Sequence, residues 1–209
     1  MNIKRLAVVA AFLTSSVSYG ADAPSDAIVG ESRDYTPVQL SLVPSVPGLS
    51  LPWWCDDVRG FRLDLLAGET RSLSYLDLGT LANLVGREAC GLQVCGLYNR
   101  VGTGAGLVQL AGLVNRVDRD CTGLQLSAVY NEVSGLSKGL GVAALNHCGT
   151  LRGAQVGIVN NAQTSEGFQF GIVNYAASAE NGLQIGLINI MPGADVPVSI
   201  LCNAGFWRK

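Results

Sequence analysis

Asparagine recurs along this chain at a nearly constant spacing, and that period limits the folds open to it more than any other feature. Successive asparagines are separated by 14 to 16 residues over more than half of the sequence. They are Asn83, Asn99, Asn115, Asn131, Asn146, Asn160, Asn174, Asn189 and Asn203. A fixed period of this kind predicts a repeat architecture, in which each unit is one small structural element stacked on its neighbours.

The residues around each asparagine repeat as well. Residues 153–160, 167–174 and 182–189 all follow the pattern Gly-x-Gln-x-Gly-x-x-Asn, and residues 91–99 match it with one extra residue. Weaker copies begin at Val38, Phe61 and Leu76, so about eleven units cover most of residues 38–206. Within a unit apolar residues alternate with Gln or Gly, and this period of two predicts β-strands with the apolar side chains facing a dry interior.

Two all-β architectures fit this spacing. In a repeat β-solenoid of about eleven units of 14–16 residues, each unit is one coil, asparagine side chains stack at buried corners, and glutamines stack on the outer face. In the alternative, an antiparallel meander such as an outer-membrane β-barrel, successive turns would lie at opposite ends. An alternating segment that ends in an aromatic residue, 198–206, favours the barrel. The turns do not differ alternately along the chain, and we therefore predict the solenoid.

The sequence also predicts how the chain is divided. Residues 1–20 have a positive start, an apolar run and a small-residue cleavage site before Ala21, which is the layout of a signal peptide. A flexible segment is expected at 21–37 and a single repeat domain at 38–206. The Pro- and Trp-rich insertion at 44–57 breaks the period and is expected to cap the open end of the stack.

The units resemble those of exported bacterial surface-repeat proteins, which carry tandem Gly-Leu-Gln-x-Gly-Leu-x-Asn motifs and have an uncharacterised biochemical role. The resemblance covers residues 38–206 and implies an exported repeat protein without catalytic residues to assign. This chain departs from the motif by an extra residue in the units of 91–131, by Gly141 in place of a glutamine, and by its cysteines.

Composition excludes several classes of partner and reaction. The net charge of −2 offers no basic surface for nucleic acid. The six cysteines could form up to three disulfides after export, but their spacing fits no zinc site, and no cofactor is expected. The single histidine, His147, precedes Cys148, and adjacent residues of a strand face opposite sides, so the two cannot form a nucleophile–base pair.

We therefore expect a non-enzymatic protein with a structural, adhesive or interaction role in the periplasm, outer membrane or cell surface. Its partner would be an envelope glycan or another surface protein. Two groups of residues are candidates for binding a glycan, and they are the predicted outward glutamines and an adjacent tryptophan pair. They are Gln93, Gln109, Gln125, Gln155, Gln169, Gln184, Trp53 and Trp54. A carbohydrate-active β-helix enzyme is the third alternative.

Overall fold

The computed structural model of the protein describes residues 35–42, 50–52, 57–179 and 181–206. These residues form β-strands and turns, and parallel stacked coils confirm the predicted β-solenoid. Within this part of the chain no helix has the length and apolar character needed to cross a membrane. The predicted signal peptide, the tryptophan pair and most of the capping insertion lie outside the described residues.

Each coil has a long arm, which holds the Gln position, and a short arm, which holds the Asn position. In the first half of the stack the two arms are separate strands, and from β12 onward one strand runs through both. The strands are β1 (Tyr35–Ser41), β2 (Ser50–Leu51), β3 (Asp57–Asp64), β4 (Ala67–Thr70), β5 (Ser72–Gly79), β6 (Ala82–Val85), β7 (Glu88–Cys95), β8 (Tyr98–Val101), β9 (Gly104–Ala111), β10 (Val114–Val117), β11 (Asp120–Ser127), β12 (Tyr130–Val142), β13 (Leu145–Ser165), β14 (Phe168–Ala179), β15 (Asn181–Ile190) and β16 (Val198–Phe206).

Parallel pairing places equivalent residues of successive coils directly beside one another. The long arms pair in the order β1-β3-β5-β7-β9-β11-β12-β13-β14-β15, and the short arms pair from β4 to β12. The Gln position forms a column of ten levels, which are Gln39, Arg62, Asp77, Gln93, Gln109, Gln125, Gly141, Gln155, Gln169 and Gln184. Parallel pairing rules out the antiparallel meander and barrel for the described chain.

The side-chain orientation is the reverse of the prediction. The glutamines were expected on the outer face, yet Gln93, Gln109, Gln169 and Gln184 are fully buried, and the apolar residues on either side of each glutamine face outward. A strand has a period of two, so the alternation alone cannot say which set faces in. Inward amides are favourable here because parallel stacking provides each one with the partner that a buried polar group requires.

The asparagine side chains connect the two arms of the stack. Each Nδ2 from Asn99 to Asn174 donates to the Oδ1 of the asparagine one coil later, at 2.8–3.1 Å. The same nitrogen donates to the carbonyl of the residue after the next Gln position, as Asn160 does to Phe170 at 2.9 Å. These carbonyls point into the coil where the long arm turns, so asparagine satisfies groups that a parallel ladder would leave without a donor.

The glutamine ladder runs in the opposite direction. Gln125 donates to Gln109, and Gln109 donates to Gln93, at 2.8 and 2.9 Å between Nε2 and Oε1. The ladder stops at Gly141, and beyond it Gln155 donates instead to the Sγ of Cys148 at 3.3 Å. The buried cysteine thus replaces the missing amide as an acceptor.

Small apolar residues fill the rest of the interior. They lie two residues after each asparagine, as with Val101 and Ala162, or on the first part of the long arm, as with Ala89 and Leu151. The long arm bends between these residues and the Gln position. Gly91 sits at this bend with φ of +118°, and a Cβ there would collide with the carbonyl of Tyr75 one coil earlier.

At each end of the described stack, an antiparallel strand pairs with the outermost parallel strand. β2 pairs with β1, and β16 pairs with β15. The eleventh predicted unit therefore reverses direction, and Asn203 lies opposite Gln184 instead of continuing the asparagine column, donating to the carbonyl of Val196. At the other end, β1 begins at Tyr35, and Tyr35 and Thr36 pair with Asp57 and Val58 of β3.

The cysteines form no disulfide within the described chain. Cys95, Cys121 and Cys148 are buried, Cys90 and Cys202 are exposed, and all five are free. The parallel register explains the absence of disulfides, because no described cysteine is the register partner of another. Cys121, for example, lies between Ala105 and Ser137. Cys55 lies outside the described residues.

We expect Asn160→Leu to lower the free energy of unfolding by about 1–3 kcal/mol, because it removes the donor to the Phe170 carbonyl and to the Oδ1 of Asn174. It also removes one of the acceptors of the Asn146 Nδ2. Thermal or urea unfolding measures the change. Asn161→Leu is the matched control, because Asn161 is only half-buried and takes no part in the asparagine column. Equal stabilities for the two variants would contradict a structural role for the column.

Candidate functional site

The outer surface of the long arm is apolar at every level. The residues just before and just after the ten Gln positions face outward, and all twenty are aliphatic or aromatic. We call these twenty residues the apolar face. They are Val38, Leu40, Phe61, Leu63, Leu76, Leu78, Leu92, Val94, Val108, Leu110, Leu124, Leu126, Leu140, Val142, Ala154, Val156, Phe168, Phe170, Leu183 and Ile185.

None of the twenty side chains is buried, although all are apolar. Seven are exposed, among them Phe170 at 51% and Leu126 at 42%, and the others are half-buried by their neighbours on the same face. Parallel register aligns like residues, so Leu76, Leu92 and Val108 follow one another in a straight row. The result is a continuous apolar sheet surface over ten levels, and none of its twenty residues is polar.

A second apolar row borders this face at the corner that leads to the short arm. We call it the corner ridge, and its members, which lie two residues before the Asn position, are exposed by 40–58%. They are Leu66, Leu81, Leu97, Leu113, Val129, Ile158, Ile172 and Leu187. A shallow depression of about 490 Å³ lies where the face meets this corner, and Val94, Leu110 and Leu126 contribute to its wall.

Charged side chains lie on the other two outer surfaces of the coil, which are the short arm and the first part of the long arm. On the short arm Arg100 and Arg116 both contact Asp118 at 2.8 Å. On the first part of the long arm, Arg152 contacts Glu166 at 2.7 Å, and this carboxylate has a lowered pKa because it accepts hydrogen bonds from the guanidinium. The charged residues therefore lie away from the apolar face, although the short arm also exposes apolar side chains such as Leu145 and Ile188.

This geometry removes the glutamines from the candidate glycan surface. Gln93, Gln109, Gln125, Gln155, Gln169 and Gln184 are at most 3% exposed, and the amides of all six donate within the stack. A ligand on the outside cannot reach them, because the backbone of the long arm lies between. Trp53 and Trp54, the other candidates, lie outside the described residues.

A buried ionic cluster terminates the glutamine ladder near the N-terminal end. Arg62 occupies a Gln position, is fully buried, and donates to both carboxylate oxygens of Asp77 at 2.8 and 2.6 Å. Gln93 donates to the same carboxylate at 3.1 Å. A ladder whose NH groups all point toward the N-terminus must end on an acceptor, and the side-chain oxygens of Asp77 provide it.

Asp64 is the second carboxylate of this cluster, and it lies 3.0 Å from the Nε of Arg62. Gly68 is the register partner of Asn83 in the preceding coil, so the chain has no asparagine side chain at that level. The Asp64 carboxylate fills the space instead, and a Cβ at position 68 would collide with this carboxylate. Burial raises the pKa of Asp64 to about 7, opposed by Arg62 and assisted by Asp77. One guanidinium cannot neutralise two buried carboxylates, so the protonated form of Asp64 is favoured.

No catalytic pair is assembled from the candidate nucleophiles. Cys148 is buried and His147 faces outward from the same strand, opposite Glu132 of the preceding coil. Burial raises the pKa of both Cys121 and Cys148 to about 12, which keeps these thiols protonated and poorly nucleophilic. The described residues contain no group of three or more His, Cys, Asp or Glu placed to hold a metal ion.

Asp120 has a local structural contact. Its carboxylate accepts a hydrogen bond from the backbone NH of Leu136 at 2.7 Å, where β12 shifts register against β13. It therefore stabilises the backbone between two coils.

Comparison with known proteins finds no family model, no curated protein and no solved structure that matches the chain. The apolar face is therefore interpreted from its own chemistry. Sequence reasoning identified its residues as apolar and alternating, but it assigned them to the interior. The alternation carries no signal that reverses this assignment, because the side that faces inward depends on whether the buried amides find partners in the neighbouring coil.

The raised pKa of Asp64 predicts that stability falls as pH rises. An unfolded aspartate loses its proton near pH 4, whereas the folded Asp64 keeps it up to about pH 7, so the folded state binds the extra proton between these values. The free energy of unfolding should therefore decrease between pH 4 and pH 7, by an amount on the order of a few kcal/mol. Asp64→Asn, which mimics the neutral form, should weaken this dependence and raise the melting temperature at pH 8. Melting curves at pH 5 and pH 8 test this, and an unchanged pH dependence in the variant would contradict it.

Proposed function

We propose that this chain is an exported, non-enzymatic interaction protein of the cell envelope, in which the solenoid is a rigid support for the apolar face. The observation that carries the proposal is the composition of that face, where twenty of twenty outward positions over ten levels are apolar. Soluble monomers rarely leave contiguous apolar patches larger than a few hundred Å² in water, and larger ones mark interaction sites.

The fold explains how such a face can exist without collapsing. A lone amphipathic strand would turn its apolar side inward, because burying apolar surface stabilises by about 25 cal/mol per Å². Here the inward positions are held by asparagine and glutamine, whose hydrogen bonds would be lost if the strand turned over. The apolar side chains are thus kept outside, and contact with a partner would remove them from water.

Features of the sequence support the placement in the envelope. The layout of residues 1–20 is that of a signal peptide, and the units resemble those of exported surface-repeat proteins. The periplasm, the outer membrane and the cell surface are the compartments consistent with this export. A scaffolding or adhesive role follows from a rigid stack with one apolar side.

A glycan-binding role has less support. Its main candidates, the glutamines, are buried in the stack, so only Trp53 and Trp54 remain available as candidates for stacking on a sugar ring. The face that is exposed is aliphatic for the most part, and it offers few hydrogen-bonding groups for sugar hydroxyls.

Site-specific photocrosslinking tests the proposed contact surface. A photoreactive residue at position 126, on the apolar face, should form adducts with protein in the cells that produce the chain. The matched control is position 122, which lies on the same strand, β11, and is also exposed, but on a polar side of the coil. Adducts at 126 and not at 122 are expected, and absence of adducts at both positions would contradict the proposal.

Export is tested separately. Fractionation of the same cells, with N-terminal sequencing of the recovered protein, should give a chain that begins near Ala21 in the periplasmic, outer-membrane or surface fraction. Recovery of the chain in the cytosol with residues 1–20 intact would overturn the envelope assignment without affecting the contact surface.

A further inference from the structure

We infer that the occupant of the apolar face is a second copy of this chain, packed face to face as one sheet on another. This inference rests on the proposed function, since it names the partner of the same surface. Two flat sheets pack about 10 Å apart when the side chains of their inner faces interdigitate. The apolar face has the composition of such an inner face, and each chain carries one.

The size of the face fits a stable dimer. Ten levels at a strand spacing of about 4.8 Å extend over roughly 43 Å. Two outward rows about 7 Å apart, together with the corner ridge, give a width of roughly 16 Å and an area of roughly 700 Å² on each copy. Stable specific interfaces bury about 800 Å² per partner, so one copy can cover the face of another with little left over.

The charge distribution favours a second copy over a lipid surface. A copy brings no like charges into contact, because none of the twenty residues of the face is charged. Binding to an anionic membrane would instead require basic residues at the border of the face. The chain has a net charge of −2, and neither the apolar face nor the corner ridge contains a basic residue.

The topology restricts where the second copy can attach. Addition of coils at the described ends is blocked by β2 and β16, which pair antiparallel with the outermost parallel strands. Two copies related by a two-fold axis would use the same face on each chain and form a closed pair. The short arm and the first part of the long arm of each solenoid, which carry the ion pairs, would remain in water.

The mass of the purified exported protein in solution tests this inference. Sedimentation equilibrium between about 1 and about 100 µM should give twice the mass of the chain, since an interface of this size commonly gives a dissociation constant of about 1 µM or below. Leu126→Glu places an unpaired charge at the centre of the face and should raise the dimer dissociation constant at least about 10-fold. Thr122→Glu, on the same strand but on a polar side, should leave the dimer unchanged.

A second variant controls for the case in which Leu126→Glu does not fold. Phe170→Arg alters the face at another exposed position, three levels from Leu126, and should also give monomers. A native far-ultraviolet circular dichroism spectrum and a cooperative melt show that each variant has folded. A monomeric wild type at about 100 µM, or dimers that persist in both folded face variants, would overturn the inference.

The photocrosslinking experiment separates this inference from the proposed function. An adduct at position 126 with the mass of two chains supports both. An adduct with a different protein, together with a monomeric purified chain, overturns the second copy and leaves the interaction role standing. A monomeric chain that co-sediments with neutral phosphatidylcholine vesicles also overturns the second copy, and it identifies a lipid surface. No adduct and no dimer overturn both.

Discussion

The hydrogen bonds of the asparagine amides are the interaction on which the rest of the solenoid depends. From Asn99 to Asn174 each amide NH2 joins two successive coils, with one bond to the next asparagine and one to a backbone carbonyl at the turn of the long arm. The buried turn is thereby satisfied, and the two arms are held in one register along the stack. The period of the chain follows from this, because each coil must return an asparagine to the same corner.

The direction of the two ladders explains the departures from the repeat. Glutamine NH groups point toward the N-terminus, so that ladder needs an acceptor there, and Asp77 with Arg62 replaces two glutamines. Asparagine NH groups point toward the C-terminus, and the acceptors left over at the opposite ends, including Asn83 Oδ1 and Gln184 Oε1, are buried atoms without a donor among the described residues. The irregular residues of this sequence thus lie where a ladder begins, ends or is interrupted.

The same constraint produces the functional surface. Strands alternate, so inward amides at each level require an outward side chain on either side, and in this chain those side chains are apolar. The inward amides are satisfied by polar contacts within the stack, and the apolar side chains beside them are left on the outside. Stability and interaction are therefore divided between the two sides of one strand, which allows the outer side to be substituted without disturbing the ladder.

The sequence by itself determined the period of the repeat and the all-β class, because 14–16 residues with alternating side chains suit β-strands. It favoured a solenoid over an antiparallel meander because the turns do not differ alternately along the chain. It could not determine which side of the strand faces inward, since that depends on whether buried amides find partners in the neighbouring coil. It also gave no sign that the last unit, with Asn203, would reverse and pair antiparallel, because strand direction is set by the chain path between Ile190 and Val198. Those choices depend on contacts between coils, and only the tertiary structure contains them.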